Sequence, residues 1–336
     1  LAGFHANQLQ VLHSNFLPAV PQDPVFVQLR DVDIKSSHLD SLEGQLLRLN
    51  PEAIESLVLD LFSANDMWSM FCADTDGHAI AFPRLTDLRL SNVLRSLTAS
   101  EQQPAERPWA LQFPAVKRVH VSYYGVPSPS LENAVFPAHL ESLDISASWD
   151  ILPVFSTTNV QASRNLSLSI EYDFGEDIAN FEVANRLLAA SDSCKVKKLT
   201  VNGTDDVPLD LITYTGITHL YLLAEVSVDD VLELINRQQH LVSLQVAYFD
   251  LFDIHADISI PECAEHELVV PLDTQLRELT LRDDSGPEIP IFKYLLVRIP
   301  TLRVVTTGAF AYQQLHTFVD DYVQWYPHLA NIKFNA

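Results

Sequence analysis

The stretch Phe82-Pro83-Arg84-Leu85-Thr86-Asp87-Leu88-Arg89-Leu90 decides how the whole chain is organised. Reduced to its apolar skeleton, it reads aromatic, proline, then Leu85, Leu88 and Leu90. The same skeleton returns as Phe113-Pro114 before Val116, Val119 and Val121, and as Phe136-Pro137 before Leu140, Leu143 and Ile145. Ile299-Pro300 leads into Leu302 and Val305, and Tyr326-Pro327 into Leu329, Ile332 and Phe334. A recurrence of this kind has to be tested as an internal repeat before any local reading is made.

The template L-x-x-L-x-L, with Val, Ile or Phe allowed, fits twelve times. The copies start at Leu29, Ile54, Leu85, Val116, Leu140, Asn165, Val196, Ile217, Leu241, Leu276, Leu302 and Leu329. They are spaced 21 to 35 residues apart, about 27 on average, and only Asn165 and Thr307 place a non-apolar residue on the template. Three such side chains, once buried, yield roughly 5–9 kcal/mol. Ordering about 27 residues costs several times that. One copy therefore cannot fold alone, and neighbours must stack to share a core.

The twelve copies resemble a leucine-rich-repeat array. The resemblance covers roughly residues 25 to 336 and implies an α/β solenoid shaped as a curved horseshoe. A parallel sheet would line its concave face, with helices and irregular loops on the convex face. The expected organisation is a single array over 29–336, preceded by a flank at 1–28 in which Leu9-x-x-Leu12 reads as a decayed repeat. Position nine departs from the family, where Asn or Cys is usual. Phe62, Val93, Tyr124, Ser148, Asp173 and Phe249 stand there, so no regular asparagine ladder can satisfy the turns. Within the family the pattern is most similar to divergent intracellular arrays of the fungal F-box type. That similarity implies the substrate-recognition part of a ubiquitin-ligase adaptor, with ligase components as partners. Neither end shows a polar cap, which leads us to expect a larger protein or a partner covering the ends.

Between strands, apolar stripes predict helices at Leu39–Leu49, Ile178–Leu188, Ile291–Ile299 and Leu315–Trp325. A further helix is expected from Ser227, where Ser227-Val-Asp-Asp230 reads as a capping box. Residues 61–82, 94–112 and 247–275 read as long irregular loops, which in an array are functional or mobile.

The formal charge is −23, from 44 acidic against 21 basic residues. Such a chain repels nucleic-acid phosphates and anionic lipid, so neither is an expected partner. No apolar run is long enough for a membrane span. Three widely spaced cysteines, Cys72, Cys194 and Cys263, fit a reducing, intracellular compartment. The closest two of nine glycines, Gly203 and Gly216, are thirteen apart, which excludes the glycine-rich dinucleotide and phosphate loops. Cys263-Ala-Glu-His266 lacks a second ligand pair, and Asp74-Thr-Asp76-Gly77 lacks the flanking ligands of a calcium loop. No cofactor, metal or catalytic motif is found. The competing class is an enzyme or small-ligand protein built on the irregular loop 247–275.

Template positions 3, 5 and 7 alternate with the buried 4 and 6, so they face the concave surface, with position 2 beside them. Over positions 2, 3, 5 and 7 the copies carry eleven Lys or Arg against nine Asp or Glu, which leaves ten against 35 elsewhere. The strand face is near neutral while the remainder is strongly acidic. The candidate docking residues form three groups: Arg89, Arg118, His120 and Asp144; then Lys197, Lys198, His219 and Tyr221; then Arg277, Arg282 and Arg303. Arginine can grip a carboxylate with two parallel hydrogen bonds, and a tyrosine can anchor a contact. A protein partner with an anionic or mixed-charge segment is the expected ligand.

Overall fold

The reason for the aromatic–proline lead-in is a tight turn. In the computed structural model, the amide of template position 1 donates to the carbonyl three residues before it. This pairs Leu85 with Phe82, Val116 with Phe113, Leu302 with Ile299 and Leu329 with Tyr326, at 3.0–3.3 Å. Proline stands second in each of these turns, where its fixed φ suits the bend. The aromatic that opens the turn packs inward: Phe82 and Phe113 are buried and stack at 5.8 Å between centroids. Ser163, Cys194 and Leu241 close the same turn without proline.

The structure describes residues 9–14, 28–36, 50–61, 81–91, 113–123, 140–147, 160–161, 163–172, 178–191, 193–203, 207–250, 270–282 and 289–335. Thirteen strands follow one another in chain order in a parallel sheet: β1 (Val11–Ser14), β2 (Asp31–Ser36), β3 (Ser56–Leu61), β4 (Asp87–Ser91), β5 (Arg118–Tyr123), β6 (Ser142–Ala147), β7 (Asn165–Tyr172), β8 (Val196–Gly203), β9 (His219–Ser227), β10 (Ser243–Asp250), β11 (Glu278–Leu281), β12 (Val304–Thr306) and β13 (Lys333–Asn335). This is the architecture of an α/β solenoid with an unclosed sheet. β1 lies inside the 1–28 flank and pairs in register with β2. The chain divides into two compact units. The first holds residues 1–168 and 190–195; the second holds 169–189 and 196–336.

The stack is held in register by the backbone itself. The carbonyl of position 2 accepts the amides of positions 2 and 3 of the next copy. Arg30 thus receives Glu55 and Ser56, Glu55 receives Thr86 and Asp87, and Thr86 receives Lys117 and Arg118. The second unit repeats this from Thr218 to Val242 and Ser243, and from Val242 to Arg277 and Glu278. Threonines reinforce it: the hydroxyl of Thr86 donates to the Glu55 carbonyl at 3.1 Å, and that of Thr218 to the Lys197 carbonyl at 3.1 Å. Buried backbone groups must be paired, and this ladder pairs those at the start of each strand.

Positions 1, 4 and 6 form the cores. Leu29, Val32, Ile34, Ile54, Leu57, Leu59 and Leu85 are buried in the first unit; Leu220, Leu222, Leu244, Val246, Leu276 and Leu279 are buried in the second. Among the described residues, four α-helices lie between strands: α1 (Ile178–Ala190), α2 (Val228–Arg237), α3 (Ile289–Arg298) and α4 (Ala309–Tyr322). Each sinks an apolar stripe, as with Val228, Val231, Leu234 and Ile235 of α2. Ser227 sits at the N-cap of α2, yet its side chain makes no capping bond. The first turn is instead favoured by Asp229 and Asp230 against the helix dipole. The helix expected at Leu39–Leu49 and most of the loops at 61–82 and 94–112 lie outside the described residues.

Two copies are displaced from the sequence alignment. Leu140 bridges to Ser163, so that copy begins at Ser163, two residues before Asn165. Ser163 is 3% exposed, and its hydroxyl turns back to the Asn165 carbonyl. Towards the preceding copy the next one begins at Cys194, two residues before Val196; towards the following copy it keeps the Val196 frame, with Lys198 beside His219 and Leu199 beside Leu220. Cys194 closes the Ser191 turn, and its thiol donates to the Ser163 carbonyl at 3.0 Å. A template of apolar letters passes over a buried serine and cysteine at position 1, because small polar side chains can be buried once hydrogen-bonded.

Candidate functional site

In the first unit, strands in register bring equal template positions side by side, about 4.8 Å apart. Asp87 thus lies beside Arg118, and Arg89 beside His120. Asp87 Oδ2 accepts from Arg118 Nε at 2.8 Å, and Asp87 Oδ1 lies 3.4 Å from Arg89 Nε. The Asp87 side chain is only 12% exposed, whereas the two arginines are more than half exposed. His120 Nδ1 is 3.1 Å from Asp144 Oδ2. Arg30 meets Glu55 at 3.5 Å and Lys117 meets Glu141 at 3.7 Å along the position-2 row. The residues of the first candidate group thus lie side by side, with their cations turned to carboxylates of the same sheet. Asp87 is the member that the sequence grouping missed. Its signal was present, because it occupies position 3 in the copy before that of Arg118.

The second group divides between two faces. Lys197 is 7% exposed. With its copy beginning at Cys194, it falls at position 4 and points inward like Leu199 and Val201. Its ammonium bonds the Tyr214 hydroxyl and lies 4.9 Å from that ring's centroid. Tyr214 is clamped in turn: its amide donates to Asn185 Oδ1 at 3.0 Å, and its carbonyl accepts from Gln238 Nε2 at 2.7 Å. Lys197 is thus a correction to the candidate list, a core lysine and not a surface cation.

Lys198, His219 and Tyr221 do stand on the open face of the second unit. Lys198 pairs in register with His219, and Thr200 with Tyr221. Lys198 Nζ sits 4.1 Å over the Tyr221 ring centroid. His219 Nδ1 is 2.9 Å from the Thr218 hydroxyl. Burial lowers its pKa from the usual 6.5, Glu278 opposes the shift, and the Lys198 charge adds to it.

The third group does not converge. Arg277 and Arg303 are neighbours at position 2, joined by the Arg303 amide to the Arg277 carbonyl at 2.8 Å. Arg282 is five residues along the strand from Arg277, roughly 16 Å away. It reaches instead to Gln245, whose side-chain carbonyl, with the amide turned to face it, accepts from Arg282 Nε at 2.6 Å and Nη2 at 3.1 Å. Gln245 is the register partner of Tyr221 and was not among the candidates. Arg303 Nη1 is spent on the Leu302 carbonyl at 2.8 Å.

Among the described residues, no carboxylate lies within ion-pair distance of Lys198, Arg277, Arg282 or Arg303. No group of three or more metal-ligating side chains occurs among them either, and no helix among them is long and apolar enough to cross a membrane. Of the loop 247–275, residues 251–269 lie outside the described residues; it is flanked by Tyr248 and Val270, whose side chains are exposed. No protein-family model matches the chain, and no curated protein matches it.

Proposed function

We propose that this chain is a protein-interaction module of leucine-rich-repeat type that docks a partner protein on the open strand face of its second unit. The observation that supports this reading most is the contrast in ion pairing. In the first unit Arg30, Arg89, Lys117 and Arg118 all stand beside carboxylates. In the second, Lys198, Arg277, Arg282 and Arg303 have none among the described residues, in a chain with 44 acidic side chains to draw on. A cation left without a carboxylate on a sheet face is available to a ligand; one already paired must first be released.

The centre of that face supports the same reading. A row of register partners, Thr200, Tyr221, Gln245, Thr280 and Thr306, runs across adjacent strands, uncharged and rich in hydrogen-bonding groups. Tyr221 is the kind of half-buried aromatic that anchors protein contacts. The adaptor reading is a narrower form of this proposal, in which the docked protein is a ubiquitination substrate.

The test is a cross-linked pull-down from the native cell extract, with Thr280→Trp as a steric block in the middle of the row. A specific partner recovered by the parent and lost by Thr280→Trp, with an unchanged melting temperature, is the expected result. A partner retained in full by the blocked variant would remove the second-unit face from the proposal. Co-recovery of cullin-ligase components selects the adaptor form; a stable partner without them discards it.

A further inference from the structure

On the same face, two cations from strands that are not neighbours lean towards each other. Lys198, on β8, lays its ammonium over the Tyr221 ring on β9 at 4.1 Å. Arg282, at the end of β11, reaches back to Gln245 on β10 at 2.6 Å. Tyr221 and Gln245 are direct register partners, so both cationic heads come to rest over one pair of adjacent residues. Two like charges gathered in this way repel each other, and among the described residues no carboxylate forms an ion pair with either. Glu278 lies four residues before Arg282 on the same strand, about 13 Å away. Glu225, at the far end of β9, is in register with Tyr248, not with Tyr221 or Gln245. Neither makes an ion pair with Lys198 or Arg282 among the described residues.

We propose that Lys198, Arg282, Tyr221 and Gln245 form a carboxylate-binding site, and that the segment docked on this face is an acidic stretch of the partner protein. This rests on the docking face proposed above and names the chemistry that it recognises. Arg282 keeps guanidinium donors beyond those that meet Gln245, and Lys198 has three donors and no acceptor of its own. A carboxylate set between them would neutralise both heads and accept from both, an arrangement that suits a side chain of Asp or Glu. The tyrosine ring serves twice, holding Lys198 in place through its π face and offering a hydroxyl beside the anion. The acidic remainder of the chain repels acidic ligands at long range, so this site selects a segment that reaches the face itself and is unfavourable to bulk polyanions.

The experiment uses the full chain and a short fluorescein-labelled oligo-glutamate peptide, followed by fluorescence anisotropy, with oligo-glutamine as the control. Oligo-glutamate should bind and oligo-glutamine should not, and the affinity should fall as salt is raised. Lys198→Gln with Arg282→Gln should weaken binding at least about tenfold, the loss of one charge-assisted contact or more. Arg89→Gln in the first unit should leave it unchanged. Equal binding of the two peptides, no binding of oligo-glutamate, or full retention by the double variant would overturn the site. The native partner separates this from the broader proposal. If Thr280→Trp abolishes its capture while Lys198→Gln/Arg282→Gln does not, the docking face stands and the carboxylate site falls.

Discussion

Asp87→Asn separates cations paired within the sheet from those that, on the proposal above, await a ligand. The substitution keeps shape and volume and removes the charge that Arg118 and Arg89 share at 2.8 and 3.4 Å. Coulomb's law at an effective dielectric constant of about 20 gives about 4 kcal/mol gross for one such pair. The carboxylate is mostly desolvated, with 12% of its side chain exposed, and both arginines keep more than half their surface in water. Desolvation and solvent screening reduce the net to about 1–2 kcal/mol. Urea unfolding followed by circular dichroism should show that loss as a lower midpoint at unchanged slope. Lys198→Gln and Arg282→Gln, measured alongside, should each move the midpoint by less than about 0.5 kcal/mol, as surface changes without a broken pair do. If Asp87→Asn were silent, or if the two second-unit variants cost as much, the distinction between paired and unpaired faces would be wrong.

Three further outcomes follow from the geometry. Leu220→Ala, at a fully buried position between Leu199 and Leu244, should cost about 2–5 kcal/mol by urea unfolding; a loss under about 1 kcal/mol would mean the stacked column is not close-packed. Pro114→Ala should cost about 0.4–1 kcal/mol by freeing the unfolded chain at the Phe113–Val116 turn, and a stabilised variant would contradict the role of proline there. His219, with its pKa lowered by burial, binds a proton more weakly folded than unfolded. Its contribution to stability is therefore complete above about pH 6.5 and is lost as pH falls from there through the folded value. His219→Gln should flatten the stability–pH curve in that window, and an unchanged curve would show that His219 does not carry the dependence.

Lys197 shows how a single register decision changes a functional reading. Counted from Val196, it falls at position 2, beside the open face. Counted from Cys194, it falls at position 4, in the core. The deciding contacts are the Ser191–Cys194 turn and the thiol bond to the Ser163 carbonyl, 31 residues back in sequence. A hydrophobic template has no term for a buried serine or cysteine, so it slid to the next apolar-compatible frame. The Tyr214 clamp on Lys197 was equally hidden, because it is built from Asn185 and Gln238 on either side of an irregular segment.

The sequence by itself determined the repeat, the parallel strand order, the inward rows and the aromatic–proline turn. These follow from local periodicity: three apolar side chains per copy cannot be buried without a neighbour, and proline after an aromatic presets the bend. Once the copies were aligned, adjacency within a row was also legible, since equal template positions lie side by side; Asp87 beside Arg118 and Tyr221 beside Gln245 could have been read that way. The tertiary structure alone decided which cations meet a carboxylate and which lean together with none among the described residues. Arg118 turns to Asp87, while Arg282 turns to Gln245 and Lys198 to Tyr221. Long side chains choose among neighbours on several strands through rotamers and competing partners, and that choice is set by distances across the sheet that spacing along the chain does not encode.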